Sequence, residues 1–311
     1  MEYLYGPVPS RRLGLSLGID LIPYKICSFN CIYCECGATT KLTNNREEFK
    51  PVDKIIEELD EYLKEDPELD YITFSGSGEP TLYLHIGEII DFLRENYPQY
   101  DTALLTNSSL LSHKKVRNEI KNLDLIVPSL DSVIEENFQQ INQPHKDIKL
   151  ADIIDGLIKL REEFSGKMFL EVFIVPGIND TKEEYEKFKN ILKKINPDRV
   201  QLNTLDRPGT EDWVEPASEE DLKKAVDIIG KNAEIIGKYS PSEKKKGISH
   251  AVKKRIIETI SVRPCTVKDL SDILDLHVNE VNKYLREIDK ENKLKMKEQT
   301  RGRFYFLTKE E

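Results

Sequence analysis

Cysteine is scarce in this chain: five residues in 311, none before Cys27 and none between Cys36 and Cys265. A disulfide framework spreads its cysteines so that they staple distant segments, and four of these five crowd into Cys27–Cys36. Long apolar runs are missing too. The most apolar stretches, such as Phe169 to Pro176, fall far short of a bilayer span. The first 21 residues carry Glu2, Arg11 and Arg12 but lack the basic start, apolar stretch and cleavage site of a secretory leader. Internal repeats and low-complexity tracts are absent. These absences predict a cytoplasmic protein with no membrane partner.

What is there reads as a globular chain: 39% hydrophobic and 33% charged residues. The length suits one barrel-sized domain with a small appendage. The net charge of −10 conceals a split, with Lys244–Glu311 at +6 and residues 1–243 at −16. Such asymmetry suggests two domains with different partners, chance drift being the alternative. Short apolar runs at 16–21, 71–76, 102–107, 125–131, 169–175 and 199–205 alternate only weakly, as strands buried on both faces do. Helical periodicity lies between and after them, near 52–66, 85–96, 113–122, 150–165, 182–196 and 218–231. Val52, Ile55, Ile56, Leu59 and Leu63 set one such face. Thr181 with Glu184, and Ser218 with Asp221, have the spacing of capping boxes. Six β-then-α units predict an α/β fold, a partial (β/α)6 TIM-like barrel with ligands at the strand carboxyl ends. The expected domains are a barrel over 1–240, a linker over 241–247 and a second unit over 248–311. That unit has three helical faces, then two short strands around Thr300-Arg301-Gly302, the order of a winged helix-turn-helix.

Cys27, Cys31 and Cys34 have the spacing C-x3-C-x2-C directly after the first strand. Three thiolates on one loop can grip three irons of a cubane and leave the fourth open to a chelating ligand. The competing possibility is a structural zinc with Cys36 as fourth ligand, although zinc sites favour paired C-x2-C knuckles set further apart.

At this point the sequence resembles the radical S-adenosylmethionine superfamily. The resemblance implies one [4Fe-4S] cluster on Cys27, Cys31 and Cys34, with S-adenosylmethionine on the open iron. It implies reductive cleavage to a 5′-deoxyadenosyl radical that abstracts hydrogen from a substrate. Tyr33, before the third cysteine, matches an aromatic position near adenine. Gly78, Glu79 and Pro80 match a Gly-Gly-Glu-Pro-like motif that binds the methionine amino group, with Ser77 in place of the first glycine. Asn107 in Leu105-Thr106-Asn107 resembles a cofactor motif. Ser129 and Asp131 are candidates for the carboxylate and ribose hydroxyls, Val175 for the adenine edge, and Asn203 for the same cofactor. The resemblance also implies a flavodoxin- or ferredoxin-like reductant and a low-oxygen setting.

Gly6-Pro7-Val8-Pro9-Ser10-Arg11-Arg12-Leu13-Gly14 and Ile141-Asn142-Gln143-Pro144-His145 look like a group of iron–sulfur oxidoreductases related to the wyosine base synthase of tRNA, over roughly residues 1–240. Those relatives carry extra N-terminal cysteines for a second cluster and a lysine that binds pyruvate. Here no cysteine precedes Cys27, so the fold and cofactors carry over and the reaction does not. Cys36 and His145 are catalytic candidates, as hydrogen-atom and proton donors, against a bystander thiol and an ordinary loop histidine. Arg11 and Arg12 are candidates for a substrate phosphate or carboxylate, against a structural ion pair. In the C-terminal unit, Asn279, Glu280, Asn282, Lys283 and Arg286 would lie on a recognition helix. Lys295, Lys297, Arg301 and Arg303 would meet phosphate from a wing, alongside Phe304 and Tyr305. The expectation is thus a radical enzyme acting on RNA, with tRNA the kind the resemblance implies. The alternatives are a cluster-bearing sensor that binds DNA, and a radical modifier of a peptide or small metabolite.

Overall fold

The computed structural model describes residues 2–10, 12–230, 232–236, 252–274, 276, 278–289 and 294–307. The expected linker 241–247 and Arg11 lie outside them, as do the side chains of Asn279, Glu280, Lys283 and Arg286.

The chain opens with a hairpin, β1 (Leu4–Ser10) antiparallel to β2 (Gly14–Asp20). The cysteine loop holds a short parallel pair, β3 (Ile26–Cys27) and β4 (Lys41–Leu42). Then come α1 (Val52–Leu63), β5 (Tyr71–Ser75), α2 (Ile86–Asn96), β6 (Asp101–Thr106), α3 (Lys114–Ile120), β7 (Leu125–Pro128), α4 (Glu135–Asn142) and α5 (Leu150–Glu163). β8 (Lys167–Phe173), α6 (Lys182–Ile195), β9 (Arg199–Asn203), α7 (Glu219–Ile229) and β10 (Ala233–Ile235) complete this part.

One sheet runs β1-β2-β5-β6-β7-β8-β9-β10, parallel throughout except at β1. The expected six parallel strands therefore become seven, with an antiparallel strand at one edge. β1 escapes pattern reading because Gly6, Pro7 and Pro9 lower its strand character, and an edge strand tolerates proline. β10 is only three residues long, too short for a pattern. Helix α4 carries only Phe138 and Ile141 as buried apolar anchors, so it too lacks a sustained periodic face.

The weak alternation has the expected cause. Leu104 and Ile126 turn to one face, with Ile55, Leu59, Ile89 and Leu93 of the helices. Their neighbours Ala103, Leu125 and Val127 turn to the other, with Leu13, Tyr71, Leu105 and Phe169. Each fully buried Leu or Ile contributes about 1.5–3 kcal/mol.

The remaining elements are α8 (Val252–Val262), β11 (Cys265–Thr266), α9 (Val267–Leu274), α10 (Val278–Asp289), β12 (Leu294–Gln299) and β13 (Gly302–Leu307), with a sheet ordered β11-β13-β12. They share a separate core of Ile256, Ile260, Leu270, Val281, Leu285 and Ile288, among others. Thr266 and Asp269 exchange backbone-to-side-chain hydrogen bonds at 2.9 and 3.1 Å, which starts α9. Helix α8 lies against both β1 and β13.

Candidate active site at the strand carboxyl ends

The cysteine loop leaves β2 and is braced from three sides. Asn30 and Ile32 donate their backbone N–H to the carbonyls of Asn142 and Ile141, both at 3.0 Å, and His145 N donates to Ser28 O at 2.9 Å. Phe29 pairs with Pro144. The Ile141–His145 segment thus acts as a strand-like support. On a second side, a Cβ at Gly78 would meet Ile26 O at 2.1 Å, so only glycine lets this loop approach the cysteine backbone. On a third side, Glu211 N donates to Ile32 O at 2.9 Å and Thr210 Oγ1 to Cys34 O at 3.2 Å.

Cys27, Cys31, Cys34 and Cys36 are all half-buried and free of disulfides. Asn107 Nδ2 lies 3.5 Å from Cys27 Sγ, Asn142 Nδ2 3.4 Å from Cys31 Sγ and Lys25 Nζ 2.8 Å from Cys34 Sγ. Burial pushes the Cys27 thiol up to about 11 and raises Cys31 well above the ordinary range. Cys34 goes the other way: the neighbouring Cys36 thiol and the Lys25 ammonium favour its thiolate and outweigh burial. Burial opposes the Lys25 ammonium, but the neighbouring Cys34 and Cys27 outweigh it and hold its pKa above the usual lysine range. Among the described residues, no three Cys, His, Asp or Glu side chains converge to hold a single ion. A cubane takes each thiolate on a different iron and needs no such convergence, so the donor set fits the cluster.

Cys36 is close to two further acceptors, Gly76 O at 3.8 Å and Val262 O at 3.7 Å. It therefore sits where the cysteine loop, the end of β5 and the end of α8 meet.

Glu79 is buried, and its carboxylate already accepts from Thr81 N at 3.0 Å, Thr81 Oγ1 at 2.6 Å, Thr106 Oγ1 at 2.7 Å and Asn107 N at 2.7 Å. Burial raises its pKa despite these donors. Pro80 begins a short 3-10 turn capped by Glu79. Asp131 is as enclosed: its Oδ2 accepts from Tyr33 OH and Asn142 Nδ2, both at 2.6 Å, and its Oδ1 from Phe173 N at 2.9 Å. Burial pushes it up to about 6. Tyr33 stacks on Phe173 with centroids 3.7 Å apart, so one ring face is taken. Tyr33, Asn107, Ser129, Asp131 and Asn142 line one small pocket beside Cys31.

The other expected residues lie elsewhere. The Val175 side chain is buried in a cluster with Ile32, Ile141 and Leu205, and does not line that pocket. Asn203 Nδ2 donates to Glu171 Oε1 at 2.8 Å. Arg12 reaches the same carboxylate at 2.9 Å, and both side chains are mostly enclosed. For Arg12 the structure thus has the internal ion pair, one of the two alternatives weighed for it. His145 does not line the pocket either; its ring lies 3.6 Å from Asp147.

The cations of the β12–β13 hairpin are engaged internally. Arg301 contacts Asp206 and Asp269, Lys297 contacts Asp212, and Arg303 contacts Glu298 on its own hairpin. Lys295 stays exposed.

Sequence reasoning did not single out Lys25, Ser28 or Glu171. Asn142 was inside a quoted motif without a role. Their contacts join residues 9 to 111 positions apart, which no local pattern encodes.

A radical SAM superfamily profile matches residues 21–192. A UPF0026 protein of Methanocaldococcus jannaschii is 36% identical, covering 92% of this chain and 91% of that one. A protein named GTPase Obg from Brachyspira hyodysenteriae is 37% identical over 94% of this chain, which spans only 43% of that protein's length. A solved radical SAM methyltransferase from Sphaerobacter thermophilus has the same fold, with a TM-score of 0.55 at 16% identity, over 71% of this chain and 66% of that one. The profile covers more than half of the chain, and the archaeal relative matches nearly end to end. The chain belongs to the radical SAM superfamily, enzymes that use a [4Fe-4S] cluster and S-adenosylmethionine.

Proposed function

We propose that Cys27, Cys31 and Cys34 hold the cluster and that the pocket beside Cys31 takes part of S-adenosylmethionine. The observation that carries this is one loop, braced on three sides, with three half-buried sulfurs each given a single N–H donor. A cluster held on Cys27, Cys31 and Cys34 would supply the one-electron reductive cleavage of S-adenosylmethionine, the chemistry that starts hydrogen abstraction from a substrate.

The chain's own residues then position and enclose. Gly78 lets the β5 loop lie against the cysteine backbone, and Glu79 ties that loop to the end of β6. Pro80 sets the turn that follows. Asn107, Ser129 and Asp131 border the cofactor, and Asp131 holds Tyr33 and Asn142 in place. Glu79 has most of its acceptor capacity filled, so its support for a methionine ammonium is through one remaining lone pair and the surrounding carbonyls. Cys36 faces Gly76 O and Val262 O at the junction of the cysteine loop, β5 and α8, and serves the loop rather than the chemistry.

The proposed domains are a barrel over 1–240, a linker over 241–247 and a winged helix-turn-helix over 248–311. Three helices and a three-stranded sheet in that order support the last. RNA remains the proposed substrate class, from the resemblance to tRNA-modifying relatives and the +6 charge of the C-terminal part. Because Lys297 and Arg301 meet barrel aspartates, any phosphate contact at the wing rests on Lys295 or requires those pairs to exchange.

The test uses protein reconstituted without oxygen. Iron and sulfide are counted, and 5′-deoxyadenosine is measured by mass spectrometry after dithionite and S-adenosylmethionine. About four irons per chain and product that vanishes in Cys31→Ala support the enzyme. Ligand binding without cleavage would instead favour a sensor, and zinc in place of iron would refute the cluster. Retention on immobilised tRNA that falls with salt tests the RNA reading, and no retention at low salt ends it.

A further inference from the structure

Three different side chains serve the three sulfurs, one each. Lys25 is 3% exposed and stands 2.8 Å from Cys34 Sγ. Its carbonyl is fixed by Thr40 N at 2.9 Å. Asn142 is 2% exposed, and its Nδ2 gives hydrogens to Cys31 Sγ at 3.4 Å and Asp131 Oδ2 at 2.6 Å. Both neighbours are acceptors, so the carboxamide can point only one way. Asn107 is held by Glu79 through its backbone and by Ser109 N, which donates to its Oδ1 at 3.0 Å, while its Nδ2 turns to Cys27 and to Ser28 Oγ. None of the three donors is a free surface group, and a second partner fixes the direction of each asparagine amide.

We infer that Lys25, Asn107 and Asn142 are positioning residues that together set the electron affinity of the cluster, with Lys25 the dominant one. This rests on the cluster being held by Cys27, Cys31 and Cys34. An oxidised cubane with three thiolates already carries negative charge, and reduction adds one electron from a flavodoxin, a ferredoxin or dithionite, with no bond made or broken. Donors on the sulfurs stabilise the more negative form more strongly, which makes the cluster easier to reduce. An amide supplies a dipole. The ammonium supplies a full charge at contact distance, in a buried place where water screens it little. The three sulfurs are therefore unequal, and the irons nearest Cys34 should carry more of the added electron.

The test is a redox titration followed by electron paramagnetic resonance, on the full chain reconstituted without oxygen. Wild type is compared with Lys25→Arg, Lys25→Gln and Lys25→Met, and with Asn107→Ala and Asn142→Ala. Iron and sulfide are counted in each. At one fixed potential, the ratio of reduced to oxidised cluster should fall by about tenfold or more in Lys25→Met, the scale of a partly buried unit charge. Lys25→Gln should fall between Met and Arg, and the two asparagine variants should shift less. Equal potentials for Arg, Gln and Met, with iron retained, would overturn the inference. Should Met lose its cluster, the Arg and Gln pair still decides: identical potentials refute the charge effect. In wild type made with nitrogen-15 lysine, the reduced cluster should show a nitrogen coupling that Lys25→Arg removes; no coupling would also refute it. A wild-type protein that takes no four-iron cluster would instead strike the underlying reading.

Discussion

Asp131 has most at stake among single residues. Its carboxylate holds a tyrosine hydroxyl, an asparagine amide and a backbone N–H at once. Asp131→Ala would leave all three donors buried without that acceptor. We expect a loss of about 2–4 kcal/mol in urea unfolding of the cluster-free protein, since each stranded donor costs about 1–3 kcal/mol and pocket water recovers part. Gly78→Ala should damage the site differently. Its Cβ meets backbone rather than a flexible side-chain end, so the cysteine loop must move and iron content should drop on reconstitution. At this scale the cysteines, Tyr33 and Gly78 were legible because they fall in one short loop and one short motif. Lys25 was not, because an unremarkable lysine gains meaning only when the fold brings Cys34 to it. For Arg12 the ion pair was one of the two legible alternatives, but Glu171, which it shares with Asn203, was not legible because it comes from another strand.

Helix starts were well written in the chain. Thr181 Oγ1 accepts from Glu184 N at 3.2 Å, and Ser218 Oγ from Asp221 N at 3.1 Å, as the spacing predicts. Thr181→Ala and Ser218→Ala should each cost about 1 kcal/mol, measured as a shift in the urea midpoint with an unchanged slope. Glu184 is more than a cap residue. Its carboxylate receives Ser132 Oγ at 2.8 Å, Val133 N at 2.7 Å and Asn137 Nδ2 at 2.8 Å, tying the start of α6 to the loop after β7 and to the start of α4. A helix-start signal thus concealed a tertiary clasp, which local spacing cannot reveal. Elements with a strong apolar period were found within a few residues of their true ends. β1, β10 and α4 were not, because prolines, brevity and a polar face erase the period.

The charge split in the sequence was legible, but part of its partner lay within the molecule. Arg301 and Lys297 of the basic unit meet Asp206 and Asp212 of the acidic part. Exposed pairs of this kind contribute little singly, about 0–1 kcal/mol, and salt screens them. Arg301→Glu should nevertheless place like charges against Asp206 and Asp269. Backbone amides near 206–214 are then expected to exchange hydrogen faster, and unchanged exchange would mean that the contacts of α8 with β1 and β13 suffice. Those contacts join β1, the earliest strand, to a helix more than 240 positions later. During synthesis, β1 therefore waits on the sheet's outer edge until the residues of α8 have emerged. Its two prolines, Pro7 and Pro9, offer no N–H to a foreign strand, so the edge left open during that wait is a poor template for pairing with another chain.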